Sequence, residues 1–257
     1  MHTVTIEGRS IAYDVHDRDG AGPGAVFVHG SGGSRAVWKS QARLADEFPV
    51  VTMDLSGHGD SDDVVAEPGW ETFSAYAGDV VAVAEETGSR TLVGNSLGGA
   101  VSLHVALHRE VEIERLVLVG TGARLSVLED LREWLETDFE RAVEFLHEPG
   151  HFLSEGADER LIEGSKRAML ACGQAVVRRD FESCHGFDVR DELSGIDVPS
   201  LAVCGSDDPL TPPSYHRYLA DEMPDCEYET IPEAAHLVML DRPDAFNAVV
   251  SGFLGAQ

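Results

Sequence analysis

The run Gly94-Asn95-Ser96-Leu97-Gly98-Gly99 sets a serine between an apolar stretch ending at Val93 and an apolar helical pattern starting at Leu97. A G-x-S-x-G sequence at such a junction forces a sharp turn with the hydroxyl exposed, and the glycines remove the Cβ atoms that would crowd strand and helix. A serine hydroxyl is a weak nucleophile at neutral pH and needs a base in hydrogen-bond reach, itself oriented by a third group. His236, in Ala234-Ala235-His236-Leu237, and Asp208, in Gly205-Ser206-Asp207-Asp208-Pro209-Leu210-Thr211-Pro212, each follow a strand-like run. The order Ser96, Asp208, His236 suits a nucleophile, an acid and a base at successive strand ends. Asp207, next to Asp208, is a rival for the acid. Taken singly each residue has a plainer role: a glycine-rich turn for Ser96, an Asp-Pro turn for Asp208, a solvated loop for His236, one of 11 histidines. Their joint order favours acyl transfer, and the lack of a Gly-Lys-Ser/Thr ending argues against a phosphate loop.

A tetrahedral oxyanion needs backbone N–H donors aimed at it. Leu97, directly after the serine at a helix start, is one expected donor. The other is Ser31 in His29-Gly30-Ser31-Gly32-Gly33-Ser34, whose small residues let backbone amides approach a substrate. That glycine run fits no G-x-G-x-x-G register.

For these residues to meet, strands must bring them to one sheet edge. Alternating runs at 4–7 and 10–16, separated by Gly8-Arg9, predict an N-terminal β-hairpin. Continuous apolar runs at 25–29 and 50–54 predict buried strands, and further strands are expected at 91–94, 115–120, 200–204 and 227–231. Helical patterns at 35–47, 73–87, 97–108, near 215–223 and at 241–254 alternate with them. The expected fold class is α/β, with a doubly wound, mostly parallel sheet and helices on both faces. Residues 121–188 hold no strand-like run, while Leu128, Leu131, Trp134 and Leu135 keep a helical spacing, as do Phe139, Ala142, Val143 and Leu146. A core of residues 1–120 and 189–257 with a helical cap, or lid, at 121–188 is therefore expected. After a strand's carboxyl end such an insertion sits where open α/β sheets bind ligands. Its Trp134, Phe139, Phe145, Phe152 and Phe181 could line an acyl pocket, although such stripes more often pack within the insertion itself.

The chain's 257 residues allow one large domain, and 46 Asp and Glu against 19 Lys and Arg give a formal net charge of −27. Nucleic acid and anionic membranes both need a basic face, which is missing, so neither is expected as a partner. The acidic residues are spread along the chain, and Lys39 and Lys166 are the only lysines. That balance resembles a halophile's cytoplasmic protein, whose self-repulsion is screened once the Debye length falls to ~3 Å at 1 M salt; an ordinary acidic protein is the plainer reading. Cys172, Cys184, Cys204 and Cys226 show no disulfide or metal-ligand spacing. No signal-like start and no apolar run of ~18 residues stand out, so a cytoplasmic protein is expected.

Together, Val28-His29-Gly30-Ser31-Gly32-Gly33, Asp54-Leu55-Ser56-Gly57-His58-Gly59-Asp60-Ser61, the serine turn, the Asp208 loop and Ala235-His236 resemble the α/β-hydrolase superfamily over nearly the whole chain. The resemblance implies an eight-stranded sheet, a triad of Ser96, Asp208 and His236, an oxyanion hole at Ser31 and Leu97, and a cap at 121–188. It implies no cofactor. The Asp54–His58 turn is similar to one that braces a strand end, and no third ligand suggests a metal there.

Within the superfamily this chain resembles, a serine at 96 disfavours the haloalkane-dehalogenase-like and epoxide-hydrolase-like branches, which use an aspartate there. The resemblance thus implies a carboxylesterase-type enzyme acting on a small ester, thioester or lactone. The elbow is also similar to meta-cleavage C–C bond hydrolases, yet those have a proline in the glycine-rich loop and an aromatic after the catalytic histidine, where this chain has Leu237. Cofactor-free perhydrolase activity uses the same triad. A non-catalytic ligand-binding member of the fold would be marked by a damaged triad, and none is visible.

Overall fold

The computed structural model describes residues 1–255. Eight strands form one sheet in the order β1-β2-β4-β3-β5-β6-β7-β8: β1 (His2–Ile6), β2 (Arg9–His16), β3 (Ala25–Val28), β4 (Val50–Met53), β5 (Thr91–Asn95), β6 (Arg115–Val119), β7 (Ser200–Gly205) and β8 (Cys226–Ile231). β1 and β2 pair antiparallel, β2 runs antiparallel to β4, and the remaining pairs are parallel. The hairpin turn is Glu7-Gly8, not Gly8-Arg9. Both residues have positive φ, 49° and 83°, as a two-residue type I′ turn requires, and Arg9 already pairs with Ile6.

The helices are α1 (Trp70–Thr87), α2 (Leu97–His108), α3 (Glu129–Thr137), α4 (Phe139–Leu146), α5 (Glu159–Cys172), α6 (Gln174–His185), α7 (Pro213–Glu222), α8 (Val238–Asp241) and α9 (Pro243–Gly255). α3 to α6 form a helical insertion between β6 and β7. Where sequence periodicity predicts one closing helix from 241, Pro243 instead starts a new helix after the short α8. Proline's fixed φ and missing N–H suit a first helical turn and break an interior one.

The segment 35–47 is not an α-helix but two 3₁₀ turns, Arg35–Trp38 and Gln41–Asp46. Tertiary ties override its helical periodicity. Arg35 N–H and guanidinium are held by Asp54, and Gln41 Nε2 donates to Asn247 Oδ1 at 2.9 Å.

The parallel strands β3 to β7 are buried on both faces, whereas the edge strand β8 alternates half-buried and exposed residues. Val26, Val28, Leu92, Leu116 and Leu118 join one apolar cluster with Tyr76 and Leu103 of α1 and α2. The alternate residues Phe27, Val93, Val117 and Val119 join a second with Trp38, Phe246 and the insertion's Leu131, Leu135 and Leu146. Period-two alternation thus feeds two cores, each large side chain worth ~1.5–3 kcal/mol of burial. A rigid sheet results, and the loops at its carboxyl edge carry Ser96, Asp208 and His236.

Candidate active site

Ser96 joins β5 to α2 with φ 54° and ψ −116°, an uncommon region for a residue with a Cβ. Two glycines make the turn possible: a Cβ on Gly94 would strike the Gly98 carbonyl, and one on Gly98 the Val28 carbonyl. The strained residue is held from several sides. Its N–H donates to Val119 O at 2.8 Å, and its carbonyl accepts the Thr121 hydroxyl at 2.9 Å. Thr121 N–H in turn donates to His216 Nε2 at 3.0 Å. Burial pushes His216 down to about 4, so the ring is neutral and free to accept.

His236 follows β8 and is 3% exposed. Its Nδ1 lies 2.9 Å from Asp208 Oδ2, in the loop after β7. That carboxylate also accepts the Leu210 and Thr211 N–H groups at 2.8 and 3.0 Å on Oδ1 and the Thr211 hydroxyl at 2.7 Å on Oδ2. Burial alone would raise the Asp208 pKa. The His236 charge and these hydrogen bonds outweigh burial and hold the carboxyl below its ordinary range. Asp208 is thus an acceptor that fixes the imidazole with its proton on Nδ1. Asp207 is exposed and, among the described residues, its side chain accepts only the Ser206 hydroxyl, so Asp208 is the partner of the imidazole.

Ser96 and His236 border one cavity of about 500 Å³. No hydrogen bond joins Ser96 Oγ to His236 Nε2, and among the described residues Nε2 has no protein partner. Such contacts commonly tighten only when substrate is bound. Ser31 also borders the cavity. Leu97 opens α2, where the first N–H groups of a helix have no partner within it; among the described residues neither the Ser31 nor the Leu97 N–H meets a protein acceptor. His29 anchors the Ser31 loop: its Nδ1 donates to Gly30 O at 2.8 Å and its Nε2 accepts Leu55 N–H at 3.1 Å. Burial and the neighbouring His58 lower the His29 pKa to about 4, which keeps Nε2 an acceptor.

Several contributors carry no motif. Phe152 stacks on the His236 ring at 5.5 Å, and Leu237 N–H donates to Phe152 O at 2.7 Å, so the insertion clamps the histidine loop. Thr211 had a local signal, since an Asp followed three residues later by Thr suits a side chain bonding its own turn. His216 has none.

Asp54 is committed to structure, accepting Arg35 N–H at 2.7 Å and Asp60 N–H at 3.0 Å as well as the Arg35 guanidinium. Among the described residues, no group of three or more His, Cys, Asp or Glu is placed to hold a metal ion. None of their helices is long and apolar enough to cross a membrane. Among the described residues, the cavity wall carries no acidic side chain despite the chain's net charge of −27; Leu131, Phe145, Phe152 and Met169 make much of it apolar.

The model of the alpha/beta hydrolase family matches residues 25–249. A pimeloyl-[acyl-carrier protein] methyl ester esterase from Pectobacterium atrosepticum is 30% identical over 90% of this chain and 94% of its own. A putative carbamate hydrolase RutD from Agrobacterium fabrum is 30% identical over 94% and 97%. The solved structure of a thermophilic esterase superposes with a TM-score of 0.85 at 28% identity, covering 99% of this chain and 96% of that one. A serine in a strained strand-to-helix turn, a His–Asp pair on the same sheet edge and these matches agree: the chain belongs to the alpha/beta hydrolase family.

Proposed function

We propose that this protein hydrolyses carboxylic esters, thioesters or lactones through an acyl-enzyme on Ser96, with 121–188 acting as a cap over the site. The carrying observation is the His236 ring, held by Asp208 at Nδ1 and without a partner at Nε2 among the described residues, on the wall of the cavity that Ser96 enters. His236 Nε2 takes the Ser96 proton as Oγ attacks the acyl carbonyl. The oxyanion is received by the Ser31 and Leu97 N–H groups, and Asp208 stabilises the imidazolium. The imidazolium then protonates the leaving alcohol or thiol. Water, deprotonated by the same ring, attacks the acyl-enzyme and releases the acid. The apolar wall favours an aliphatic or aromatic acyl group, and the esterases among the relatives support the reaction class.

A panel of p-nitrophenyl esters and lactones run with wild type and Ser96→Ala tests this reading. Turnover should fall roughly 10⁴- to 10⁶-fold in the variant with its fold intact. Near-normal turnover by Ser96→Ala would remove the assignment.

The acidic surplus supports a second reading, adaptation to high salt. Many carboxylates, such as Glu7, Glu148, Glu155 and Asp207, are exposed, and close spacing of like charges destabilises the fold until ions screen them.

A further inference from the structure

The loop that bears Ser31 rests on the insertion as well as on the sheet. Val177, Asp180 and Cys184 of α6 fall at i, i+3 and i+7, so they share one helix face, and all three are buried. Gly32, at φ 63°, is where that face meets the loop. A Cβ there would lie 3.2 Å from Val177 Cγ2 and 2.9 Å from Met169 Cγ of α5. Cys184 lies against the Ser31 side chain.

Asp180 supplies the polar part of the contact. Its Oδ2 accepts Gly32 N–H at 3.2 Å and His58 Nε2–H at 2.9 Å, and its Oδ1 accepts the Tyr76 hydroxyl at 2.7 Å. One carboxylate from the insertion therefore gathers the loop after β3, the turn after β4 and helix α1. Geometry also sets the charge of its neighbour. His58 Nδ1 faces Ser56 O at 3.1 Å while Nε2 faces Asp180, so both ring nitrogens donate and the ring is an imidazolium, the partner a buried carboxylate needs.

We propose that Asp180 is a positioning residue for the oxyanion hole. By holding Gly32 N–H it fixes the peptide that follows Ser31, and the planar peptides on either side of Ser31 then aim the Ser31 N–H into the cavity. The insertion thus completes the hole as well as covering it, and loosening its hold on the loop lowers turnover even with Ser96, His236 and Asp208 undisturbed. This rests on the reading of the site as a serine hydrolase with Ser31 as an oxyanion donor.

The test compares Asp180→Ala and Asp180→Asn with Ser183→Ala. Ser183 lies on the same helix and accepts Gly69 N–H at 2.9 Å, tying α6 to the core away from the loop. Three quantities are read: hydrogen exchange of residues 29–34, kcat and KM for a p-nitrophenyl ester, and the affinity of an aryl boronic acid that forms a tetrahedral adduct. In Asp180→Ala the loop should exchange faster and kcat fall roughly 10- to 100-fold with KM little changed. Boronate affinity should drop in step with kcat/KM, because both report transition-state binding. Asp180→Asn should fall between Asp180→Ala and wild type. Ser183→Ala should keep wild-type loop exchange and kcat, even with a lower thermal midpoint. Unchanged loop exchange in a folded Asp180 variant, or fast exchange with wild-type kcat and boronate affinity, overturns the proposal; if Asp180→Ala does not fold, Asp180→Asn decides. A wild type that hydrolyses no ester removes the hydrolase reading and this one with it, whereas wild-type turnover with indifferent Asp180 variants removes this one alone.

Discussion

His236 with Asp208 and His58 with Asp180 are the same two side chains at the same 2.9 Å separation, both buried, yet only the first pair's histidine lines the cavity. The difference lies in the second ring nitrogen. His236 lines the cavity with Nδ1 on Asp208 and Nε2 without a protein partner among the described residues, which leaves Nε2 open to a reacting group. His58 spends Nδ1 on Ser56 O and Nε2 on Asp180, so its charge is locked in. Burial disfavours that charge, and the Asp180 carboxylate outweighs it, holding His58 well above the ordinary histidine range. One arrangement suits a base and the other a brace, and the distinction comes from what each ring faces, not from the pair itself.

The largest contrast should come from removing each histidine. His236→Ala is expected to lower ester turnover roughly 10⁴- to 10⁶-fold with a smaller loss of stability by urea unfolding, because Asp208 keeps the Leu210 and Thr211 hydrogen bonds. His58→Gln should do the reverse: it strands a buried carboxylate and costs about 3–5 kcal/mol of stability by urea unfolding, with a smaller loss of activity. If His58→Gln proves as stable as wild type, the locked ion pair is not there.

How far these roles can be read from sequence differs between the pairs. Ser96 and Asp208 follow strands whose continuous apolar runs mark them as buried, His236 follows the edge strand β8, which alternates charged or polar with apolar residues, and a parallel sheet puts the ends of such strands on one edge. Ser96 adds glycines whose missing Cβ atoms the turn demands. Asp180 sits in an amphipathic helix among other charged residues, and its burial depends on which helix face meets Gly32, a tertiary fact without a local pattern. The 3₁₀ turns at Arg35–Trp38 and Gln41–Asp46 are hidden for the same reason, since the ties of Arg35 to Asp54 and of Gln41 to Asn247 are tertiary, 19 and 206 residues apart.

The two pairs should also fail at opposite ends of the pH scale. His58 has a raised pKa in the folded state, so its contribution is full below its unfolded value, ~6.5, and is lost as pH rises through the higher folded value. Asp208 has a lowered pKa, so its contribution is full above the unfolded value, ~3.9, and is lost as pH falls through the lower folded value. Urea midpoints across pH should show both limbs, with His58→Gln flattening the alkaline one and Asp208→Asn the acid one. A wild-type alkaline limb that survives in His58→Gln would assign it elsewhere.

Salt should act on the surface and spare both buried pairs. The thermal midpoint is expected to rise from about 0.1 M to about 2 M NaCl as screening shortens the reach of the acidic charges. A midpoint independent of salt would dismiss the high-salt reading without touching either His–Asp pair.

The most direct measurement of the central claim is reaction of wild type, Ser96→Ala and His236→Ala with an aryl phosphonate, followed by peptide mass mapping. Wild type should acquire one adduct, on Ser96, and lose ester turnover in proportion to labelling, while Ser96→Ala takes none and His236→Ala labels at least about 100-fold more slowly. Labelling elsewhere with Ser96 untouched, or unabated labelling of Ser96 in His236→Ala, would contradict a serine activated by that histidine.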